Sequence, residues 1–136
     1  MIYLDSNVFL YAVLYSAESQ PKARKAKEIL REIETGSLAA ATSTLTWDEV
    51  VWIVSKTISR TDSIAQGQKL LGFPNLEFIN VDEAILAQAQ RLMTIYKLRP
   101  RDSIHVASAL NRRVKTIISD DEDFDQVKEL KRTPLQ

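Results

Sequence analysis

Apolar positions follow two rhythms along this chain: short unbroken runs, and longer stretches in which they recur at helical spacing. Met1 to Leu4 is a short run suited to a buried strand, and Val8 to Leu14 is apolar throughout and predicts a helix. Between Pro21 and Thr35, Ala23, Ala26, Leu30 and Ile33 recur at helical spacing, and Gly36 supplies a stop. Ser37 to Thr42 is small and apolar, a second strand. A helix follows with Val50, Val51, Ile53, Val54 and Ile58, and another from Ser63 to Leu71, closed by Gly72 and Pro74. Leu76 to Val81 alternates as a strand does. From Asp82 to Tyr96, positions 85, 86, 89, 92, 93 and 96 trace one helical face. Pro100 introduces a helix from about Asp102 to Arg113, and Thr116 to Ser119 is a last buried strand. Strands separated by helices predict an α/β sandwich around a mainly parallel sheet.

Composition narrows the chemistry. A chain of 136 residues is expected to form one domain, spanning 1-136. With 3 glycines and 4 prolines, it has no long flexible linker. The 18 basic and 18 acidic residues cancel, so any nucleic-acid surface must be local. No cysteine is present, which excludes disulfides, thiolate metal sites and cysteine nucleophiles. A single histidine argues against a zinc centre. No basic segment precedes Ile2-Tyr3-Leu4, and no apolar stretch approaches the roughly 20 residues of a membrane helix. The protein is therefore expected to be soluble and cytoplasmic.

The acids carry the functional signal. In an open parallel sheet, sites form where strands hand over to helices at their carboxyl ends. Asp5 ends the first strand, Glu49 falls in the first turn of the helix after the second, and Asp102 opens the helix after Pro100. Asp120, Asp121 and Asp123 follow the last strand. Each has a local explanation as a helix cap: Thr46-Trp47-Asp48-Glu49 and Ser119-Asp120-Asp121-Glu122 both match capping boxes, and Asp5 and Asp102 suit cap positions. Caps do not require acids at every connection along one edge, and their conjunction favours a site. Clustered carboxylates repel one another, and a hard divalent cation such as Mg²⁺ or Mn²⁺ relieves that repulsion. Neither G-x-x-x-x-G-K-[ST] nor G-x-G-x-x-G occurs, so phosphate chemistry would rest on metal ions.

Four blocks carry a resemblance: Ile2-Tyr3-Leu4-Asp5-Ser6-Asn7; Thr42-Ser43-Thr44 followed by Glu49; Arg101-Asp102-Ser103-Ile104-His105-Val106-Ala107; and Ile117-Ile118-Ser119-Asp120-Asp121-Glu122-Asp123-Phe124. In this order and spacing the chain resembles the PIN domain, and within it the VapC-type toxins of prokaryotic toxin–antitoxin pairs. The resemblance implies a three-layer α/β/α sandwich and hydrolysis of RNA phosphodiester bonds with Mg²⁺ or Mn²⁺. It assigns Asp5, Glu49, Asp102 and Asp121 as catalytic acids, and Asp5, Asp102, Asp121 and Asp123 as metal holders. Asp123 is the rival of Asp121 for the fourth acid, with Asp120 behind both. Asn7 and Ser119 match supporting polar positions. A cognate antitoxin and a homodimer are the implied partners.

Arg99, Arg101, Arg112, Arg113 and Lys115 flank Asp102, and the first three are the candidates for holding RNA phosphates. His105 lies one turn after Asp102 and reads as structural; Trp47, Trp52 and Tyr11 read as core or interface. The basic residues Lys22, Arg24, Lys25, Lys27 and Arg31 read as a solvated helix face. Two other functions compete. A phosphatase on a similar fold would need a second Asp where Asn7 stands, and a non-catalytic PIN-like binding module would be expected to have lost some of the acids. A receiver domain would need paired acids after the first strand, which are absent.

Overall fold

The computed structural model describes residues 1–136. Five strands form one sheet: β1 (Ile2–Leu4), β2 (Ala40–Ser43), β3 (Leu76–Ile79), β4 (Thr116–Ile118) and β5 (Lys131–Thr133). Six helices surround it: α1 (Ser6–Leu14), α2 (Pro21–Glu34), α3 (Thr44–Thr57), α4 (Arg60–Leu71), α5 (Glu83–Ile95) and α6 (Pro100–Asn111). The strand order is β3-β2-β1-β4-β5, and every neighbouring pair is parallel. No helix is long and apolar enough to cross a membrane.

Alternation along the strands divides the core in two. Tyr3, Ala41 and Ile117 face one side with Ile85, Ala89 and Leu92 of α5 and Val106 and Ala109 of α6. Leu4, Ala40 and Ile118 face the other with Val8 and Phe9 of α1, Ile29 and Ile33 of α2, and Val50 and Val54 of α3. Helices α1 to α4 thus cover one face and α5 and α6 the other, the three-layer arrangement expected. From β1 the chain moves outward through β2 to β3, then crosses back to β4 on the other side of β1. That reversal opens a crevice at the carboxyl ends of β1 and β4, where an open sheet places its site.

The structure revises several local expectations. The second strand begins at Ala40 rather than Ser37, because Gly36 turns the chain at φ +86° and register with β1 starts at Ala40, the Ala39 carbonyl accepting the Ile2 N–H at its edge. Helix α3 starts at Thr44, capped by the Ser43 hydroxyl, which accepts the Leu45 N–H. Thr46 is therefore inside the helix, buried against Thr42 at 2.6 Å, and the Thr46–Glu49 capping box does not form. Glu49 lies in the second turn. Asp102 is not a cap either, since Arg99 occupies that position and Pro100 and Arg101 precede it in the helix. Strand β5 and the 3-10 turn Glu122–Gln126 were not expected from the pattern.

Candidate active site

Asp5 is the first residue past β1 and is held from both sides. Its backbone N–H donates to the Ile118 carbonyl of β4 at 3.1 Å. Its Oδ1 caps α1 by accepting the Ser6 N–H at 2.7 Å, and its Oδ2 accepts the Ser119 hydroxyl at 2.7 Å. The cap and the site are one residue. Ser119, first past β4, is saturated: besides donating to Asp5, its Oγ accepts from Asn7 Nδ2 at 3.3 Å and from the Asp121 N–H at 3.0 Å. One hydroxyl thereby ties the ends of β1 and β4 and the following loop. Asp121 Oδ1 in turn accepts the Asp123 N–H at 2.9 Å and opens the 3-10 turn. Ser119 is a junction rather than the cap its S-x-x-E pattern suggested.

Glu49 reaches the same place from α3, and Asp102 from the first turn of α6. Asp5, Glu49, Asp102 and Asp121 line one cleft of about 590 Å³, together with Ser6, Arg99 and Arg101. The lining contains no hydrophobic residue. Two other clefts, one between α3 and α4 and one lined by Phe9, Leu30 and Phe73, are more apolar and hold none of these groups.

In and around the cleft, the groups able to hold a metal fall into two sets. Atoms of Asp102, Asp121 and Asp123 lie within 4.8 Å of one another, and so do atoms of Asp5, Glu49 and His105. Arg99 spans the first group, at 3.6 Å from Asp102, 3.8 Å from Asp121 and 3.5 Å from Asp123. In the second group, His105 Nε2 bonds Glu49 Oε1 at 2.6 Å and stands 3.6 Å from Asp5. His105 Nδ1 bonds the Tyr3 hydroxyl at 2.7 Å.

Burial and mutual repulsion set the electrostatics. The Asp102 carboxyl is pushed up to about 6, first by burial, then by Asp121 and Asp5, against partial relief from Arg99 and His105. Burial also raises Asp5, although His105 and the Ser119 and Ser6 bonds work in the opposite direction. Burial alone would depress the His105 imidazole, but Tyr3, Glu49 and Asp5 outweigh it and hold the ring well above its ordinary range. Four side-chain oxygens are buried without a hydrogen-bond partner, Asp102 Oδ2, Asn7 Oδ1, Ser103 Oγ and Asp120 Oδ2, the last of them paired with Lys22. Unpaired buried oxygens beside crowded carboxylates fit a hard divalent cation, which takes oxygen ligands and cancels their repulsion.

Some expected residues lie elsewhere. Arg112 is the C-cap of α6, about 15 Å along the helix from Asp102, and pairs with Glu77 of β3. Asp120 bonds Lys22 at 2.7 Å and the Leu135 N–H, and so serves the C-terminal segment. Asn7 is occupied with Ser119, which leaves the phosphatase reading without its acid. Two residues outside the expected set, Tyr3 and His105, stand directly behind the cleft. The signal for the first was available: a tyrosine facing inward from a three-residue buried strand must find a partner for its hydroxyl.

Comparison with known proteins bears on the family and the fold. The family profile described as the PIN domain matches residues 2–130. No curated protein sequence matches the chain. Among solved structures, a toxin–antitoxin complex from Klebsiella pneumoniae is 20% identical with a TM-score of 0.71, covering 100% of this chain and 98% of that one. VapBC2 from Rickettsia felis, bound to a promoter DNA fragment, is 18% identical with a TM-score of 0.73, covering 98% of each chain. VapC20 from Mycobacterium tuberculosis, described as a toxin that cleaves the sarcin–ricin loop, is 15% identical with a TM-score of 0.74 over 93% of this chain and 94% of that one. At these identities the likeness is one of fold.

Proposed function

The chain belongs to the PIN domain family, and on that premise we propose that it is a metal-dependent ribonuclease that hydrolyses RNA phosphodiester bonds, and the toxin of a toxin–antitoxin pair. One observation carries the reading: acids from four separate segments line a single polar cleft at the crevice of the sheet, and one of their oxygens is buried without a partner.

Asp5, Asp102 and Asp121 would hold Mg²⁺ or Mn²⁺, with Asp123 beside them. Such an ion, when bound, supplies an activated water and charge stabilisation at the scissile phosphate. The protein's own groups do the rest. Asp121 is preferred to Asp123 as the fourth acid because it lines the cleft and is anchored to Ser119. Glu49 presents a carboxylate with one oxygen bonded to His105 and the other without a protein partner, suited to accept a proton from water. Arg99 and Arg101 line the cleft and offer positive charge to RNA phosphates. The toxin assignment rests on the fold shared with toxin–antitoxin proteins; it implies an antitoxin that silences the cleft, and a homodimer as the working unit.

Purified protein incubated with single-stranded RNA tests this directly. Cleavage should appear with Mg²⁺ or Mn²⁺, vanish in excess EDTA, and fall on the order of a thousandfold in Asp5→Asn and in Asp102→Asn, because the acids act as a unit. Full cleavage in EDTA would sink the proposal. Hydrolysis of a small phosphate monoester, with RNA left intact, would favour the phosphatase.

A further inference from the structure

The cleft has a rigid support running back into the core. Tyr3 is 0% exposed and His105 1% exposed, and they meet edge-on, with ring centroids 5.7 Å apart and planes at 69°. The chain of contacts runs from the Tyr3 hydroxyl to His105 Nδ1 at 2.7 Å, then from His105 Nε2 to Glu49 Oε1 at 2.6 Å. It joins β1, α6 and α3, closed at the tyrosine and open to the cleft at Glu49, whose side chain is 17% exposed.

We propose that His105 is a positioning residue that fixes the Glu49 carboxylate in the cleft and is itself fixed by Tyr3. This rests on the nuclease reading of the cleft for its consequence, but not for the contact. The donor logic is simple. An ionised carboxylate only accepts, so Nε2 carries the proton that it shares with Glu49. Tyr3 then gives its hydroxyl proton to Nδ1, or accepts one from it, and the strut is the same in both cases. Both ring nitrogens are thereby engaged and the ring is closed to solvent, which separates His105 from a metal ligand. Its helix neighbours Val106, Ala107 and Ala109 are fully buried apolar residues, so a leucine at 105 would suit the packing. What it would not supply is a donor aimed at Glu49. Long carboxylate side chains lose much rotamer freedom when held, and a buried donor imposes that order before substrate arrives.

The chain has one histidine, so its ring can be observed without assignment. In metal-free protein, ¹H–¹⁵N NMR should show a slowly exchanging imidazole Nε2–H that is lost in Glu49→Ala and exchanges faster in Tyr3→Phe. In RNA cleavage, His105→Leu should lower kcat by roughly ten- to a hundredfold with KM little changed, as loss of an orienting partner does elsewhere. His105→Gln, which keeps a donor near Nε2, should recover most of that loss, and His105→Leu should add nothing to Glu49→Ala. If the leucine variant does not fold, the glutamine and Tyr3→Phe variants carry the comparison. Absence of a protected Nε2–H in the parent, its persistence in Glu49→Ala, or a full further loss from His105→Leu on the Glu49→Ala background would overturn the proposal. A parent that cleaves no RNA would instead remove the nuclease reading, and the NMR result would still decide the strut.

Discussion

Replacing Asp102 with Asn should make the metal-free protein more stable at neutral pH while abolishing its activity. The structure gives the magnitude. The Asp102 carboxyl sits at about 6 against an ordinary 3.8, because burial and the neighbouring Asp121 and Asp5 disfavour its charge. A carboxyl raised on folding costs nothing below the unfolded value, where both states are protonated. The penalty grows as pH rises through the window from 3.8 to about 6 and is complete above it. Two units at about 1.4 kcal/mol each set an upper limit of roughly 3 kcal/mol. The group stands in an open cleft where water screens it, so about half of that, roughly 1.5 kcal/mol, is the expected gain from an uncharged isostere. For a chain of this size that is about 5 °C in Tm. Thermal melts in EDTA between pH 4.5 and pH 7.5 should show the Asn variant gaining on the parent as pH rises. Adding Mg²⁺ should reverse the order, since ligand at a hundred times its Kd stabilises the parent by about 2.7 kcal/mol through mass action and the variant by less. A pH-independent difference, or equal Mg²⁺ shifts in both proteins, would refute the reasoning and leave Asp102 as an ordinary first-turn acid.

Three further outcomes are expected. Asp121→Asn should reduce RNA cleavage at least tenfold more than Asp123→Asn, because Asp121 lines the cleft with a side chain 27% exposed while Asp123 is 45% exposed beyond it; equal losses in parallel assays would count against this. Expression of the chain alone should arrest bacterial growth, and Glu49→Gln should relieve the arrest at unchanged soluble yield, since Ser43 and not Glu49 caps α3; undiminished toxicity would indicate sequestration of a partner. Arg101→Ala should weaken RNA binding and flatten its salt dependence by about one unit of slope, whereas Arg112→Ala, removing a residue paired with Glu77, should leave both unchanged; filter binding across a salt series decides it.

The parts of the fold that were legible are those with an apolar signature. Strands β1, β2 and β4 are short, largely buried runs, β3 alternates, and helices α2 and α5 show their spacing plainly. Strand β5 was invisible because Lys131-Arg132-Thr133 is polar and half exposed at the sheet edge, where charge discourages pairing with other chains. Its contribution comes through position: Arg132 donates to the Ser119 carbonyl at 3.1 Å and pairs with Asp125, steadying the loop that carries Asp121. The start of α3 was misplaced for a related reason. Thr44 and Thr46 looked like boundary residues, yet Thr46 is buried because Thr42 provides for its hydroxyl across one turn. In the cleft, the acids were legible from their places after strands, while the Tyr3–His105 contact joins residues 102 positions apart and leaves no local trace.

Helix capping accounts for some of the acids and not for others. Asp5 caps α1 with the oxygen that takes the Ser6 N–H and ties the strand ends with the oxygen that takes the Ser119 hydroxyl, so its carboxylate is engaged by the fold. Removing it unties α1 from the junction of β1 and β4 as well as emptying the cleft, and a loss of activity there would be read through a loss of structure. Asp102 stands at the other extreme. It caps nothing, its Oδ2 is buried with no hydrogen bond, and Arg99, 3.6 Å away, and His105 offset its charge only in part. A group so placed contributes little to folding and is disfavoured in its charged form, which is the state a cation would require. The four acids are therefore not equivalent probes: removing Asp5 from the sheet edge costs fold and function together, whereas neutralising Asp102 should cost function without costing the fold.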